Sequence, residues 1–406
     1  MNILVLSDAF WPDHTGGISK SLLSEVEGLV TRGHRVVVVT RRLNRDTASY
    51  EERDGYKLYR YASPSKGTIF YRLYPLASLV QTPKLVARLH KKFLFDIAYV
   101  HNAFQAVGIS RCGEQVPYVY VFHAPTPREI EIEAAKGKYG WSTPLLKPVN
   151  QWIKVQERQA LAQARAIVVR SEYMKKEMHQ FYGEVGKDKT FQVPLGVDTR
   201  RFSFVDDPRA VRRELALPLD RPILLSVRRL VARMGLENLI TAMRYVVKQI
   251  PDALLLIGGK GYLETSLRAQ VRQFHLESNV QFLGFISEEK LPKYYQAADL
   301  FVLPTTMLEG FGLSTIESLS CGTPVLATPV GANPEVVGPL GSEFLCKDTT
   351  ADSLAERIIW WLDRRASTEV RQTCREYCAS NFDLDTITVF LENIFNQAIT
   401  REGVTR

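Results

Sequence analysis

At 406 residues, the chain is too long for one ordinary core, and its 45% hydrophobic and 24% charged side chains are those of a folded soluble protein, so two domains are expected. Lys and Arg (52) outnumber Asp and Glu (44); the net charge of +8 favours phosphorylated ligands, acidic head groups or nucleic acid without choosing among them. Five cysteines, Cys112, Cys321, Cys346, Cys374 and Cys378, accompany no histidine cluster, which argues against a metal site and for a reducing, cytoplasmic setting.

The N-terminal run MNILVLSDAF lacks a basic leader and a small-residue cleavage site, so it reads as a buried strand and not a signal peptide. The loop FWPDHTGG follows, then a helix over about 18–32 that Gly33 stops. RVVVVT, IAYVH, YVYVF and AIVVR are further strands. Continuous Val- and Ile-rich runs suit parallel strands covered on both faces, which makes the first half a doubly wound α/β domain.

Between 66 and 93, KGTIFYRLYPLASLVQTPKLVARLHKKF mixes aromatic and aliphatic residues with Lys84, Arg88, Lys91 and Lys92. The leading reading is an ordinary helix with a solvated face plus a ligand-lining loop. The other is a basic amphipathic stretch that rests on acidic lipid at the inner face of the membrane. No run reaches the roughly 18–20 apolar residues of a membrane span.

The pattern restarts with PILLSV, ALLLIGG, VQFLGF, DLFVLP and PVLAT, a second domain of the same build. The join falls within VPLGVDTRRFSFVDDP, residues 193–208, so the expected domains are 1–195 and 205–383. The tail LDTITVFLENIFNQA reads as a closing helix (384–403) that packs back on the first domain. Two such domains are expected to face each other across a cleft at the carboxyl ends of their strands, where ligands bind.

The loops at those ends carry the chemistry. Gly16-Gly17 opens the first helix, where backbone N–H groups can cradle a phosphate; a tight turn is the plain alternative. His123 follows YVYVF and precedes a rigid Ala-Pro-Thr-Pro loop. Arg228, Arg229 and Arg233 follow PILLSV, and each charge-assisted bond to phosphate is worth roughly 1.5–3 kcal/mol. IGGKG, with Gly259, ends another strand, but its spacing is not that of a dinucleotide fingerprint. In LEGFGLSTIES, Glu309 stands in the loop and Glu317 in the helix, whose buried stripe is expected to be Leu313, Ile316 and Leu319. The N–H groups of Phe311, Gly312, Leu313 and Ser314 can hold a phosphate or sugar oxygen, and the two carboxylates can accept from hydroxyls. The plain alternative is a capping box, Ser314 to Glu317.

Glu309-Gly-Phe-Gly-Leu-Ser-Thr-Ile-Glu317 identifies the chain as resembling the family 4 retaining glycosyltransferases of the GT-B fold. Supporting matches are Gly16-Gly17, RSEYMKKEM at 170–178, PLGVDTRRF at 194–202, LVARMGLENLI at 230–240, GKGYLETSL at 259–267 and GTPVLATPVGANPEVV at 322–337, so the likeness covers nearly the whole chain. The resemblance implies a nucleotide-diphosphate sugar, GDP- or UDP-linked first, as co-substrate, with no cofactor and no metal. Glu317 would bind the ribose. Glu309 with Phe311–Ser314 would hold the transferred sugar and nearby phosphate. Arg229 would grip the diphosphate, helped by Gly17, and His123 would face sugar and acceptor. The acceptor would be a sugar or a lipid-linked glycan. This sequence departs where Arg228 replaces a glycine and Met234 replaces the phosphate-binding lysine, so Arg228 or Arg233 is expected to supply that charge. Two alternatives are an NAD(P)-dependent oxidoreductase and a nucleotide-sugar binder that has lost catalysis; no nucleic-acid module is recognisable.

Overall fold

The computed structural model describes residues 1–14, 16–44, 46–65, 68–111, 116–135, 146–364 and 367–400. They form two units: Met1–Gly196 joined by the segment from Leu384 onward, and Val197–Asp383.

The first unit runs β1 (Asn2–Leu6), α1 (Gly17–Thr31), β2 (Arg35–Arg42), β3 (Tyr50–Arg53), β4 (Tyr56–Ala62), α2 (Tyr74–Phe93), β5 (Ile97–Val100), α3 (Ala103–Ser110), β6 (Tyr118–Phe122), α4 (Thr126–Ala135), α5 (Leu146–Gln163), β7 (Ala166–Val169), α6 (Glu172–Tyr182) and β8 (Thr190–Gln192). Among the described residues its sheet has eight strands in the order β3-β4-β2-β1-β5-β6-β7-β8, parallel except for the β3–β4 pair. Side chains alternate across the sheet. Ile3, Val5, Val36 and Val38 face one core and Leu4, Leu6, Val37 and Val39 the other, which is why these strands read as unbroken apolar runs.

β3, β4 and β8 carry no such run and escape the sequence reading. In YKLYRYA the buried Arg60 disguises a core strand; Asp13 at 2.5 Å and Glu51 at 2.7 Å neutralise it. Without those partners a buried guanidinium would be prohibitive.

The second unit runs α7 (Pro208–Glu214), β9 (Ile223–Val227), α8 (Leu236–Gln249), β10 (Leu254–Gly258), α9 (Glu264–Gln273), β11 (Val280–Gly284), α10 (Leu291–Ala297), β12 (Leu300–Leu303), α11 (Leu313–Ser320), β13 (Val325–Ala327), α12 (Asn333–Val337), α13 (Ala351–Arg364) and α14 (Thr368–Phe382). Its sheet is parallel, in the order β11-β10-β9-β12-β13. The central strands β10, β9 and β12 therefore deliver three consecutive loops to one edge: the IGGKG loop, the arginine loop and the Glu309 loop.

The closing helix, α15 (Leu384–Thr400), buries Ile387, Leu391, Ile394 and Phe395 in the first unit's core. Gly28 of α1 permits that packing, because a Cβ there would lie 2.5 Å from Thr388 Oγ1. Residues 401–403 of the expected helix, and Cys112, lie outside the described residues. The other four cysteines are buried and not in disulfides. Among the described residues, no helix is long and apolar enough to cross a membrane.

Candidate functional site

Strand β9 ends at Val227, and the arginine loop leaves it packed tightly on its neighbours. A Cβ on Gly259 would lie 1.9 Å from the Arg228 carbonyl oxygen, and one on Gly261 2.1 Å from that of Leu230. The IGGKG glycines thus have a packing reason of their own. A 3-10 turn over Ala232–Met234 follows, and Gly235 starts α8 with φ 71°. Its missing Cβ would sit 1.8 Å from the Pro304 oxygen, so this glycine lets the arginine loop lie against the end of β12.

Hydrogen bonds then stitch the two loops together. Thr306 N donates to the Arg233 carbonyl (2.9 Å), and Arg233 Nη1 donates to the Leu308 carbonyl (2.9 Å). Arg228 donates through Nη1 to Thr305 Oγ1 (2.8 Å) and through Nη2 to Glu309 Oε2 (2.9 Å), which also accepts from Thr305 Oγ1 (2.8 Å). Oε2 is thereby saturated, leaving Oε1 as the carboxylate oxygen for a ligand. Burial lowers the Arg228 pKa, with Glu309 working against it and Arg233 and Arg229 with it. Arg228 is thus held inside by Glu309, its side chain 6% exposed, while Arg233 is half-buried and Arg229 exposed. Met234, at the lysine's place, is 7% exposed and fills the core.

The backbone around Glu309 is fixed on both sides of that residue. Leu308 sits at φ 52°, a left-handed conformation that a leucine adopts only at a cost of about 1–3 kcal/mol. Gly331, at φ 63°, brings Ala332 N to the Glu309 carbonyl at 2.9 Å; a Cβ on Gly331 would come within 2.2 Å of that oxygen. Both features fix the carboxylate's origin.

The helix after it begins differently from the capping-box alternative. Gly312, at φ 87°, is the N-cap without any side-chain cap, and Ser314 is already helical, so Glu317 does not close the helix start. Leu313 and Ser314 occupy positions whose N–H groups have no intrahelical acceptor. The expected stripe of Leu313, Ile316 and Leu319 gives way to burial on every side: Leu313 is only half-buried, whereas Thr315 to Ser320 are all buried. Glu317 is 4% exposed, and Tyr295 donates to its Oε2 at 2.8 Å. Phe311 packs edge-on against Phe382, so its side chain belongs to the core and only its backbone remains for a ligand.

Gly16, Gly17 and His123 lie in the first unit. Gly16 has an extended conformation (φ −84°, ψ 161°), and a Cβ on Gly17 would meet nothing within 4 Å among the described residues. Neither turn geometry nor a neighbour demands glycine at 17. His123, half-buried at the end of β6, meets His101 at the end of the adjacent β5, with His123 Nε2 3.1 Å from His101 Nδ1.

Sequence reading missed His101 and the network behind it. Arg170, at the end of β7, pairs with Glu25 of α1 at 2.7 Å, and Tyr99 OH accepts from Arg170 (3.1 Å) and donates to Glu25 (3.0 Å). Burial works against the Arg170 charge, and Glu25 and Tyr99 outweigh it. The available signal was Glu25 on the apolar stripe of α1, between Leu22, Val26 and Leu29.

The Glycosyl transferases group 1 family profile matches residues 207–380, and the Glycosyltransferase Family 4 profile matches residues 15–201. A GDP-mannose-dependent monoacylated alpha-(1-6)-phosphatidylinositol monomannoside mannosyltransferase of Corynebacterium glutamicum is 34% identical over 47% of this chain and 52% of its own length. A related mannosyltransferase of Mycolicibacterium smegmatis is 38% identical over 36% of this chain and 40% of its own. The chain thus spans about half the length, or less, of these relatives. An uncharacterized glycosyltransferase of Methanocaldococcus jannaschii is 25% identical over 95% of this chain and 93% of its own length. Among solved structures, sucrose-phosphate synthase from Thermosynechococcus elongatus superposes with a TM-score of 0.80 at 24% identity, covering 99% of this chain and 100% of that one. That likeness shows the fold. With each half matched by one of the family's two profiles and nearly the whole chain laid over that fold, the chain belongs to the family 4, group 1 glycosyltransferases of the GT-B fold.

Proposed function

We propose that the chain moves a hexose from a GDP- or UDP-linked sugar to a lipid or lipid-linked acceptor, retaining anomeric configuration and needing no bound metal. The observation that carries this reading is the single hydrogen-bonded body formed by the arginine loop and the Glu309 loop. It sets cations, helix N–H groups and a fixed carboxylate side by side, as a diphosphate joined to a sugar requires. Arg229 and Arg233, with the N-terminus of α11, take the diphosphate. Arg233 supplies the charge that Met234 lacks, since Arg228 is committed to Glu309. Oε1 of Glu309 takes a sugar hydroxyl, and Glu317 takes the ribose. Within the first unit, Gly16 and Gly17 offer backbone N–H groups and His123 an imidazole to a ligand.

In same-face transfer the bond from the anomeric carbon to the phosphate oxygen breaks while the acceptor oxygen attacks that same face. The departing phosphate takes the acceptor proton, so no protein nucleophile is needed. Preorganised cations stabilise the charge as it develops. The names of the mannosyltransferase relatives support a lipid acceptor and a GDP-linked donor.

A specific observation favours work at an anionic membrane surface. Arg41 holds Tyr74 under its guanidinium (4.0 Å) and donates to Tyr71 OH (3.1 Å), turning those rings inward. Phe70 (59% exposed), Leu73 (49%), Leu76 (50%) and Val80 (50%) are left outward. Leu73, Leu76 and Val80 share a helical face with the exposed Lys84 and Lys91. Such an apolar-then-basic face can dip into an acidic bilayer. Lys66 and Gly67 lie outside the described residues.

The test is donor hydrolysis and transfer by purified protein, with GDP-mannose and UDP-glucose, phosphatidylinositol vesicles as acceptor, with and without EDTA, and the product anomer read by NMR. No turnover of either donor, abolition by EDTA, or an inverted anomer removes the corresponding part of the reading. Pelleting with neutral against anionic vesicles decides the surface, and equal binding to both refutes the charged docking face.

A further inference from the structure

His101 and His123 stand on neighbouring strand ends, ring nitrogen to ring nitrogen at 3.1 Å. Two neutral imidazoles share one proton across such a contact, so the tautomer of one fixes that of the other. The buried surroundings decide which. Nε2 of His101 is buried without a hydrogen-bond partner, and so are Nε and Nη1 of the Arg170 guanidinium, itself 4% exposed. Arg170 is close enough that its charge acts on both rings. A positive field penalises an N–H dipole that has no acceptor and favours a bare lone pair. His101 therefore keeps Nε2 bare and carries its proton on Nδ1. It donates to Nε2 of His123, and His123 in turn carries its proton on Nδ1.

We propose that His101 is a positioning residue that holds His123 in the Nδ1–H tautomer, so that His123 gives a ligand oxygen a hydrogen-bond donor and does not act as a base. The identity of that oxygen, a sugar or acceptor hydroxyl, rests on the glycosyl-transfer reading. The two agree chemically: if the departing phosphate takes the acceptor proton, no basic side chain is needed and a fixed neutral donor to a hydroxyl is useful. Burial first, and Arg170 second, push the His123 ring down to about 3, so it stays uncharged at neutral pH. The other ring of the pair is the more deeply placed: His101 is 8% exposed, stacked edge-on over Tyr99 at 4.5 Å, and cannot itself reach far beyond the protein.

The experiment uses the full chain labelled with 15N-histidine and long-range 1H–15N correlation spectra, with His123→Asn identifying the His123 signals. The expected spectrum shows Nδ1 protonated and Nε2 bare on both rings. His101→Asn offers an amide donor near the place of Nδ1; His123 should keep its tautomer, and GDP-mannose hydrolysis should stay within about threefold of wild type. His101→Phe removes the donor; the His123 tautomers should mix, and kcat should fall at least about tenfold with KM nearly unchanged. A wild-type His123 protonated on Nε2, or His101→Phe with tautomer and kcat unaltered, overturns the proposal. If no form hydrolyses any donor, the glycosyl-transfer reading fails while the spectra still decide the tautomer. If His101→Phe does not fold, the wild-type and His101→Asn spectra decide it.

Discussion

Replacing Arg228 with methionine separates two roles for this arginine. The sequence offers it, or Arg233, for the charge missing at Met234, whereas the structure ties it to Glu309 and Thr305. Both partners of the ion pair are largely buried, with side chains 6% and 12% exposed. Removing one member of a buried pair costs about 3–5 kcal/mol, because the other charge is stranded. Glu309 keeps the Thr305 hydroxyl and neighbouring arginines, so the lower end, about 3 kcal/mol, applies. For a unit of this size each kcal/mol moves the midpoint by about 2–4 °C, which gives a fall of roughly 6–12 °C in the second unit's transition. Differential scanning calorimetry of wild type, Arg228→Met, Glu309→Met and the double variant measures this. The double variant should recover most of the loss, since exchanging the whole pair for apolar side chains strands no charge. An Arg228→Met protein with an unshifted midpoint and a raised donor KM would refute the reasoning and return Arg228 to the phosphate.

Glu317→Gln keeps an acceptor for Tyr295, so the fold should hold while the donor KM rises severalfold; wild-type kinetics would remove Glu317 from the ribose. Glu317→Ala strands the Tyr295 hydroxyl and should also lower stability by about 1–3 kcal/mol in urea titrations. Gly17→Ala meets no atom of the described chain, so thermal stability should be unchanged or slightly higher while donor turnover drops about tenfold or more, and full activity would leave only a turn at that position. His123 is depressed in the fold from an ordinary value near 6.5 to about 3. Its contribution is present above pH 6.5 and is lost as the unfolded chain takes up the proton on acidification, roughly 2 kcal/mol by pH 5. Urea midpoints at pH 7.5 and 5.0 should therefore differ less in His123→Asn than in wild type, and equal differences would contradict the burial of a neutral ring.

What was legible in the sequence follows from which forces act locally. RVVVVT and YVYVF announce themselves because both faces of these strands are covered, so every position must be apolar. YKLYRYA does not, because Arg60 is satisfied by residues up to 47 positions away. The spacing of Glu309 and Glu317 is visible as a motif, but the partners of each are not. Arg228 lies 81 residues before Glu309, and only the pairing of β9 with β12 brings them together. Gly259 shows the converse: it reads as room for a ligand, and in the fold it is room for the Arg228 carbonyl. Ser314 and Glu317 match a capping box in spacing, yet the helix starts two residues too early for it, at a glycine whose positive φ no propensity argument would place.

The substitutions at 228 and 234 make sense together once these contacts are known. A lysine at 234 would have to leave the core to reach a phosphate, and methionine there fills it. The arginine at 228 is committed to Glu309, so in the proposed site it would not restore the lost cation to the ligand. It makes the Glu309 carboxylate part of the same hydrogen-bonded body as the arginine loop. Arg233 closes that body from the other end through the Leu308 carbonyl, directly before Glu309. Strain at Leu308 is tolerated because bonds on both sides over-determine it. In the proposed site, the phosphate end and the hydroxyl end of a donor would thus be read by one hydrogen-bonded element, in which a change at either end is felt at the other. Under the proposed function, a nucleotide sugar that fitted only one end would forfeit part of the binding at both, and a site with few side chains would discriminate among donors in that way.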